Sequence, residues 1–291
     1  MSLPPEILKK VKLLEISTRK MVNNLFAGEY QSAFKGQGMT FSEFREYVPG
    51  DDVRSISWPL MARTGKPYIK KFDEEREMTL MLAVDVSGSQ DFGSRDYLKG
   101  EVITHIAALL AFSANKNKDP VGLLLFSDQV EHYVPPKKGV GQVHRILRDL
   151  YYFQPRSRRT HLTPALEHLL GVLKKRSNIF LFSDFMDRDF DAPLRMMGKR
   201  HDCVAVLVRD PAELEIPALG LVDLHDPETG EVMTVDSSSS AFRRHYQEVL
   251  SRQWESFEQQ LLRAHVDRID VRTDQDFVVP LIGFFKRRNR R

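Results

Sequence analysis

The sequence predicts a doubly wound α/β fold with a mostly parallel sheet, preceded by a small β-rich module and a helical N-terminus. From residue 79 onward, short apolar runs alternate with amphipathic helical segments, and this alternation indicates βαβ units with helices on both faces of a sheet. The run Thr79–Val84 is almost entirely apolar, as expected of a strand that is buried on both faces in a parallel sheet. The 291 residues suffice for one sizeable core plus an accessory region.

The chain is predicted to divide into three parts. Residues 1–26 carry apolar side chains at helical spacing and are predicted to form a helix. Residues 27–76 are dense in aromatic and turn residues and are predicted to form the β-rich module, with a strand pair near Val53–Trp58 and Pro67–Asp73. Residues 77–291 make up the α/β domain, including a C-terminal hairpin and helices.

Within the α/β domain, the patterns predict each element in order. Strands are expected where short apolar runs are bounded by turn residues, at 79–85, 121–126, 130–134, 179–182, 203–208 and 266–271. Helices are expected where apolar residues form one stripe, at 97–115, 139–153, 163–175, 191–201, 241–261 and 277–287. A turn signal, Asp226-Pro227-Glu228-Thr229-Gly230, predicts a hairpin over 219–236.

The composition excludes several classes of protein. A net charge of +3 does not by itself indicate a nucleic-acid partner, and the single cysteine, Cys203, rules out an internal disulfide. The sequence contains no apolar run long enough to span a membrane, and charged residues interrupt any signal-peptide core near the N-terminus. A cytoplasmic location is the expectation. The basic run Lys286–Arg291 leaves open a weaker idea, attachment to anionic lipid or nucleic acid.

Oxygen-bearing side chains follow three of the predicted elements. Asp85, Ser87 and Ser89 form a D-x-S-x-S pattern after the first strand of the α/β domain; Thr160 precedes a helix, and Asp184 follows another buried strand. In open α/β sheets, ligands bind outside the carboxyl ends of strands. Oxygen ligands suit a hard divalent cation, so we expect Mg²⁺ here, with Mn²⁺ or Ca²⁺ as alternatives.

This set of five residues resembles the complete metal-ion-dependent adhesion site of von Willebrand factor A-type domains, and the order of elements fits that family's doubly wound fold. The resemblance implies that at least one carboxylate acts through water and that the cation keeps an open coordination position. An acidic side chain of another protein is the natural ligand for that position. The predicted function is therefore a non-enzymatic, metal-dependent protein-interaction module.

Two other interpretations of the same residues remain open. In the structural one, Asp85 caps the turn after its strand and the serines satisfy loop amides. In the enzymatic one, the same pocket serves a metal-dependent hydrolase, a phosphatase or nuclease. Phosphatases that use an Asp nucleophile at this position need a second Asp two residues later, where this chain has Ser87. Phosphate-loop, Gly-x-Ser-x-Gly and zinc-binding patterns are absent from the sequence.

A second motif lies in the β-rich module. Its members can form fixed polar pairs, and they are Arg45, Gly50, Asp51, Asp52, Arg54, Trp58 and Arg63. The favoured interpretation is structural, with Arg54 or Arg63 paired to Asp51 or Asp52, and a catalytic role is less favoured.

This run, followed by the Asp of the candidate site, resembles the domain-of-unknown-function 58 family over roughly residues 27–240, and the 226–231 hairpin is also similar. Two positions depart from the family pattern, Ser57 in place of Asp and Gln90 in place of Met. The resemblance implies a partner, a MoxR-type AAA+ ATPase or its client, with the protein acting as an adaptor in assembly or chaperoning. It gives no reason to expect a nucleic-acid partner.

Overall fold

The structure is a computed structural model that describes residues 27–33, 38–75, 78–94, 97–187 and 189–290. The helix predicted over 1–26 lies outside the described residues. The described chain divides into two compact units, one formed by residues between 34 and 78, the other by residues 27–33 and 79–290. The helix Ala27–Ala33 thus belongs to the larger unit. No helix in the described ranges is long and apolar enough to cross a membrane.

The smaller unit is built on an antiparallel strand pair, β1 (Gly38–Glu46) and β2 (Tyr68–Glu75). The strand predicted at Val53–Trp58 is wrong: Val53–Ser55 is a 3₁₀ turn, and a short helix, Trp58–Thr64, follows. The side chain of Asp52 accepts a hydrogen bond from the Arg54 amide at 2.9 Å and so favours the turn. Pro59 lies in the first turn of the helix, where a missing N–H costs nothing.

The larger unit alternates strands and helices, as predicted. Its strands are β3 (Thr79–Asp85), β4 (Val121–Phe126), β5 (Val130–Lys137), β6 (Ser177–Phe182), β7 (Asp202–Arg209), β8 (Leu221–His225), β9 (Val232–Asp236) and β10 (Asp267–Arg272). Its helices are Ala27–Ala33, Lys99–Lys116, Val140–Tyr152, Leu162–Val172, Asp191–Arg200, Pro211–Leu214, Ser240–Ala264 and Val278–Arg288, with a 3₁₀ turn at Gly88–Asp91.

Six strands form the central sheet, in the order β10-β7-β6-β3-β4-β5. All neighbours are parallel except β4 and β5, which are antiparallel. The predicted doubly wound, mostly parallel sheet is therefore confirmed. Strands β8 and β9 pair separately as the predicted hairpin. The strand order reverses between β3 and β6, and a crevice for ligands is expected outside the carboxyl ends of these two strands.

Both faces of the central strands are buried, which explains why their sequences are apolar without alternation. Successive side chains point to opposite faces of a sheet. Met81, Ala83 and Ile179 belong to the face that packs against the helices Leu162–Val172, Asp191–Arg200 and Ser240–Ala264. The alternate residues, such as Leu80 and Leu82, are also fully buried, and the helix Lys99–Lys116 packs against β3, β4 and β7.

Gly198 allows the helix Asp191–Arg200 to approach the end of the helix Ser240–Ala264. A Cβ at this position would lie 1.9 Å from the carbonyl oxygen of Ala264, a backbone atom that cannot rotate away. We expect Gly198→Ala to lower the free energy of unfolding by about 2 kcal/mol, because the overlap outweighs the roughly 1 kcal/mol by which alanine favours a helix. Urea denaturation measures the change. Gly171→Ala, which meets open space, is the control, and equal effects at the two positions would contradict the prediction.

Candidate metal site

Asp85 ends β3 and is 1% exposed. Its Oδ1 accepts a hydrogen bond from the Ser87 amide at 2.9 Å, and its Oδ2 accepts one from the Ser183 hydroxyl at 2.7 Å. Ser183 follows β6, so this bond joins the ends of β3 and β6 where the strand order reverses. Burial, together with the charge of Asp184, raises the pKa of Asp85 to about 7. Its two described hydrogen bonds come from uncharged donors, and the ionised carboxylate is costly to bury in this state.

The two serines of the D-x-S-x-S pattern lie side by side in the loop after β3. Their hydroxyl oxygens are 3.1 Å apart, and Gln90 Nε2 donates to the Ser89 hydroxyl at 3.1 Å. Between them, the Gly88 amide donates to the carbonyl of Arg158 at 2.8 Å. This bond attaches the loop after β3 to the loop that contains Thr160.

Thr160 lies just before the helix Leu162–Val172. Asp187, in the loop after β6, accepts a hydrogen bond from the first amide of that helix, that of Leu162, at 2.7 Å. The Thr160 hydroxyl donates to Glu228 Oε1 at 2.6 Å, and the Thr160 amide donates to Glu228 Oε2 at 3.1 Å. Glu228 stands at the tip of the β8–β9 hairpin, so a fourth segment of chain reaches the site.

Asp184 is paired with a buried lysine. Lys99 Nζ lies 3.3 Å from Asp184 Oδ2 and 2.9 Å from Glu213 Oε1, and the Lys99 side chain is fully buried. Burial opposes the lysine's charge, but the carboxylates of Asp184 and Glu213 outweigh it and raise the pKa of Lys99. The other oxygen of Asp184 accepts a hydrogen bond from the Met186 amide at 3.4 Å. Asp184 is therefore partly neutralised within the chain.

The five residues singled out from the sequence lie in three loops at the carboxyl edge of the sheet, and these loops contact one another. Asp85 and Asp184 are close enough for the charge of one to affect the pKa of the other. Within the described part of the chain, no three His, Cys, Asp or Glu side chains form a metal-ligand cluster. The candidate set is of another kind, two carboxylates with three hydroxyls.

The chemistry of this set fits a hard divalent cation. All its donors are oxygens, which Mg²⁺ prefers, and a cation beside Asp85 would stabilise the ionised form that burial disfavours. Because Lys99 already balances part of the Asp184 charge, Asp184 fits a position that acts through water rather than direct contact.

Sequence reasoning missed three contributors to this site. In the sequence, Ser183 and Lys99 lie at the end of a predicted strand and in a predicted helix, and Glu228 lies in a predicted turn. Ser183 Oγ holds Asp85, Lys99 pairs with Asp184, and Glu228 binds Thr160. The one available signal was the unusual D-P-E-T-G turn, which predicts a hairpin but not where its tip docks.

The motif in the smaller unit forms a surface turn. Arg45 donates to Asp51 Oδ1 at 2.8 Å, and the Val48 amide donates to Oδ2 at 2.9 Å. The hydrogen bond from the Val48 amide, followed by that from Arg45, lowers the pKa of Asp51. The predicted pairing is thus corrected: Asp51 pairs with Arg45, the next-to-last residue of β1, and Asp52 accepts a hydrogen bond from the backbone amide of Arg54. The remaining members stand at the surface: Gly50 in the turn with φ of 111°, and the exposed side chains of Arg54, Trp58 and Arg63.

The family described as "Protein of unknown function DUF58" matches residues 43–256. Among curated proteins, the uncharacterized protein Rv1480 of Mycobacterium tuberculosis is 27% identical over 289 residues, covering 98% of this chain and 91% of the relative. The uncharacterized protein MAV169 of Mycobacterium avium is 26% identical over 162 residues, covering 54% of this chain and 94% of the relative.

Two solved structures are similar to this one. One is the conserved hypothetical protein BatB from Bacteroides thetaiotaomicron, with a TM-score of 0.47 and 14% identity, covering 72% of this chain and 99% of that chain. The other is the SpRpn10 VWA domain, with a TM-score of 0.39 and 12% identity, covering 72% of this chain and 95% of that chain.

Proposed function

The chain belongs to the DUF58 family, and from that premise we propose that it is a protein-interaction module that captures an acidic side chain of another protein through a divalent cation. The observation that carries the proposal is the buried Asp85 carboxyl, which stands beside two hydroxyls where the sheet order reverses. Its pKa is raised to about 7 because burial and Asp184 disfavour its charge. A cation is the ligand that would remove this cost.

In the proposed site, Asp85, Ser87, Ser89 and Thr160 hold the cation directly and Asp184 acts through water. Mg²⁺ is the expected ion, with Mn²⁺ or Ca²⁺ as alternatives. When bound, the ion supplies an electrophilic position for a carboxylate oxygen. The protein's own contribution is to hold the oxygens in fixed loops, as the Ser183–Asp85 and Asp187–Leu162 hydrogen bonds do.

The proposed partner is a MoxR-type AAA+ ATPase or its client, which the protein would serve as an adaptor in assembly or chaperoning in the cytoplasm. The family resemblance supports this partner, and the geometry supports only the chemistry of the contact. Such a partner needs an exposed Glu or Asp, since a carboxylate is the group a hard cation selects.

The enzymatic alternative is less well supported. A pocket of 230 Å³ is lined by Asp85 and Ser87, but its described lining includes neither Ser89, Thr160 nor Asp184. A substrate in this cavity would therefore not lie against all the candidate ligands. Turnover of phosphoester substrates that requires metal and is lost in Asp85→Asn would favour the hydrolase.

Ser87→Ala tests the proposed function. The change removes one ligand but keeps the backbone amide that holds Asp85, so the fold is expected to persist. We expect Mg²⁺ affinity, measured by calorimetry, to fall by about tenfold or more, and binding of the ATPase in Mg²⁺ to fall to the level seen with chelator. Ser113→Ala, whose hydroxyl bonds only within its helix, is the control. Equal partner affinity for wild type and Ser87→Ala, with or without Mg²⁺, would refute the proposal.

A further inference from the structure

The tip of the β8–β9 hairpin is a preformed turn. Asp226 accepts hydrogen bonds from the amide of Glu228 at 2.9 Å through its side chain and from that of Gly230 at 2.9 Å through its carbonyl. The Thr229 hydroxyl donates to the same carboxylate at 2.8 Å. These bonds fix the backbone on both sides of Glu228, so its carboxylate is presented with little freedom to lose on binding.

Polar contacts at its tip attach this hairpin to the larger unit. Its strands are largely exposed, with Leu221 77% and Met233 66% exposed, and they bury little apolar surface. Glu228 by contrast is half-buried and uses both oxygens on Thr160. A hairpin held by hydrogen bonds at its tip can be released more readily than one held by a core, since each such bond contributes only about 1 kcal/mol net.

The loop that carries the D-x-S-x-S pattern is shaped to receive the hairpin tip. A Cβ on Gly88 would lie 2.2 Å from the carbonyl oxygen of Pro227, so only a glycine allows the tip to come this close. The same carbonyl accepts a hydrogen bond from Arg158 Nε at 3.0 Å, and Arg158 also binds Asp91 at 3.0 Å. The residue between the two candidate serine ligands therefore provides space for the hairpin.

The carboxylate of Glu228 is held directly against one of the candidate ligands, because the hydroxyl and the amide of Thr160 each donate a hydrogen bond to it, at 2.6 Å and 3.1 Å. The Thr160 hydroxyl can donate to Glu228 and bind a cation at the same time, because a hydroxyl has one hydrogen to donate and two lone pairs that can accept or coordinate. Its hydrogen goes to Glu228, and a lone pair is left for a cation.

We propose that Glu228 is a ligand of the cation at this site, supplied by the chain itself. The inference rests on the proposed function: Glu228 takes the position there assigned to a partner's carboxylate. The metal-loaded site is then closed in the resting protein, and a partner gains access only by displacing the hairpin tip with its own acidic side chain. Capture of a partner and release of the hairpin become one event.

Glu228→Gln tests this inference with MgCl₂ alone as the probe, on the full chain. The variant keeps the size of the side chain and one acceptor oxygen, removes the charge, and loses one of the two hydrogen bonds that Thr160 donates. We expect calorimetry to show Mg²⁺ affinity reduced by about tenfold or more. The control is Glu231→Gln, which removes the same charge from an exposed position on the same hairpin and is expected to leave the affinity unchanged.

Hydrogen exchange gives a second readout. Mg²⁺ is expected to slow exchange of the amides of residues 228–230 in the wild type and not in Glu228→Gln. Arg158→Ala, which frees the Pro227 carbonyl without removing a carboxylate, is expected to weaken Mg²⁺ binding less, by about threefold, and to speed exchange at the tip.

The outcomes separate the two proposals. If the wild type gives no Mg²⁺ binding, or Ser87→Ala binds as the wild type does, the proposed function fails and this inference fails with it. A different result refutes only the role of Glu228: Ser87→Ala weakens Mg²⁺ binding, Glu228→Gln does not, and Mg²⁺ leaves hydrogen exchange at the hairpin tip unchanged. In that case the proposed cation site is still supported.

Discussion

Asp85→Asn is expected to abolish Mg²⁺ binding, with an affinity loss of about a hundredfold or more, while the metal-free variant is more stable than the wild type at alkaline pH. The amide keeps the shape of the carboxylate and an oxygen for the Ser87 amide, so the loop remains in place. What is lost is the one carboxylate among the candidate ligands that has no described cationic partner, and a cation would favour its ionisation.

The pH dependence follows from the raised pKa of Asp85. In the unfolded chain this carboxyl is ionised above about pH 4, and in the folded, metal-free protein it holds its proton up to a pKa of about 7. Between these values the native state binds more protons than the unfolded state, so stability falls as the pH rises through 7. Asn cannot ionise. The stability of Asp85→Asn relative to the wild type is therefore expected to rise by about 2 kcal/mol between roughly pH 5.5 and 8.5.

Thermal and urea denaturation in chelator, at several pH values, measure this difference, and calorimetry measures Mg²⁺ affinity. The control is Asp223→Asn, which makes the same change at an exposed residue of the β8–β9 hairpin whose side chain accepts a hydrogen bond from Thr234. If the stability difference between Asp85→Asn and the wild type does not depend on pH, the pKa of Asp85 is not raised in the folded protein. If Asp85→Asn retains its Mg²⁺ affinity, Asp85 is not a ligand of the cation.

The sequence was sufficient to predict the parallel sheet and to predict that the candidate ligands lie at its carboxyl edge. Asp85 and Asp184 end apolar runs, and because parallel strands align their carboxyl ends, topology alone places the two aspartates together. A buried parallel strand can be predicted from its own residues, because both of its faces are apolar and the sequence shows a continuous apolar run. In the smaller unit, the run Val53–Trp58 has a weaker pattern, because polar residues separate its apolar ones, and the Asp52 cap and Pro59 favour a turn and a helix there instead.

The sequence did not predict contacts between segments that lie far apart in the chain, because such contacts leave no mark on the hydrophobic periodicity of either segment. The Thr160–Glu228 bonds join residues 68 apart in the chain, and the Lys99–Asp184 bond joins residues 85 apart. Each depends on how a loop or a hairpin docks, which is decided by packing of the whole unit. One of these contacts places a further carboxylate, that of Glu228, at the candidate site, and the other places the ammonium group of Lys99 beside Asp184.

Lys99→Met is expected to lower the stability of the metal-free protein by about 3 kcal/mol or more, because removing one partner of a buried pair leaves an uncompensated charge. The Lys99 side chain is fully buried, and that of its partner Asp184 is 12% exposed. Met fills most of the volume of the lysine stem, so the loss measures charge rather than packing. The exposed Lys175 provides the control Lys175→Met, for which a change within about 0.5 kcal/mol is expected.

The response of Lys99→Met to Mg²⁺ shows whether Asp184 interacts with the metal as well as with the Lys99 ammonium. If the Lys99 ammonium and the metal both interact with the Asp184 carboxylate, removing the ammonium leaves that carboxylate to interact with the metal alone. Mg²⁺ is then expected to raise the melting temperature of Lys99→Met more than that of the wild type. Ligand binding to the native state stabilises it by RT ln(1 + [L]/Kd), so a Mg²⁺ titration of melting temperature gives the comparison directly. If Mg²⁺ stabilises neither protein, Lys99 is itself the cation of this site, and the carboxylates are there to hold a buried lysine rather than a metal.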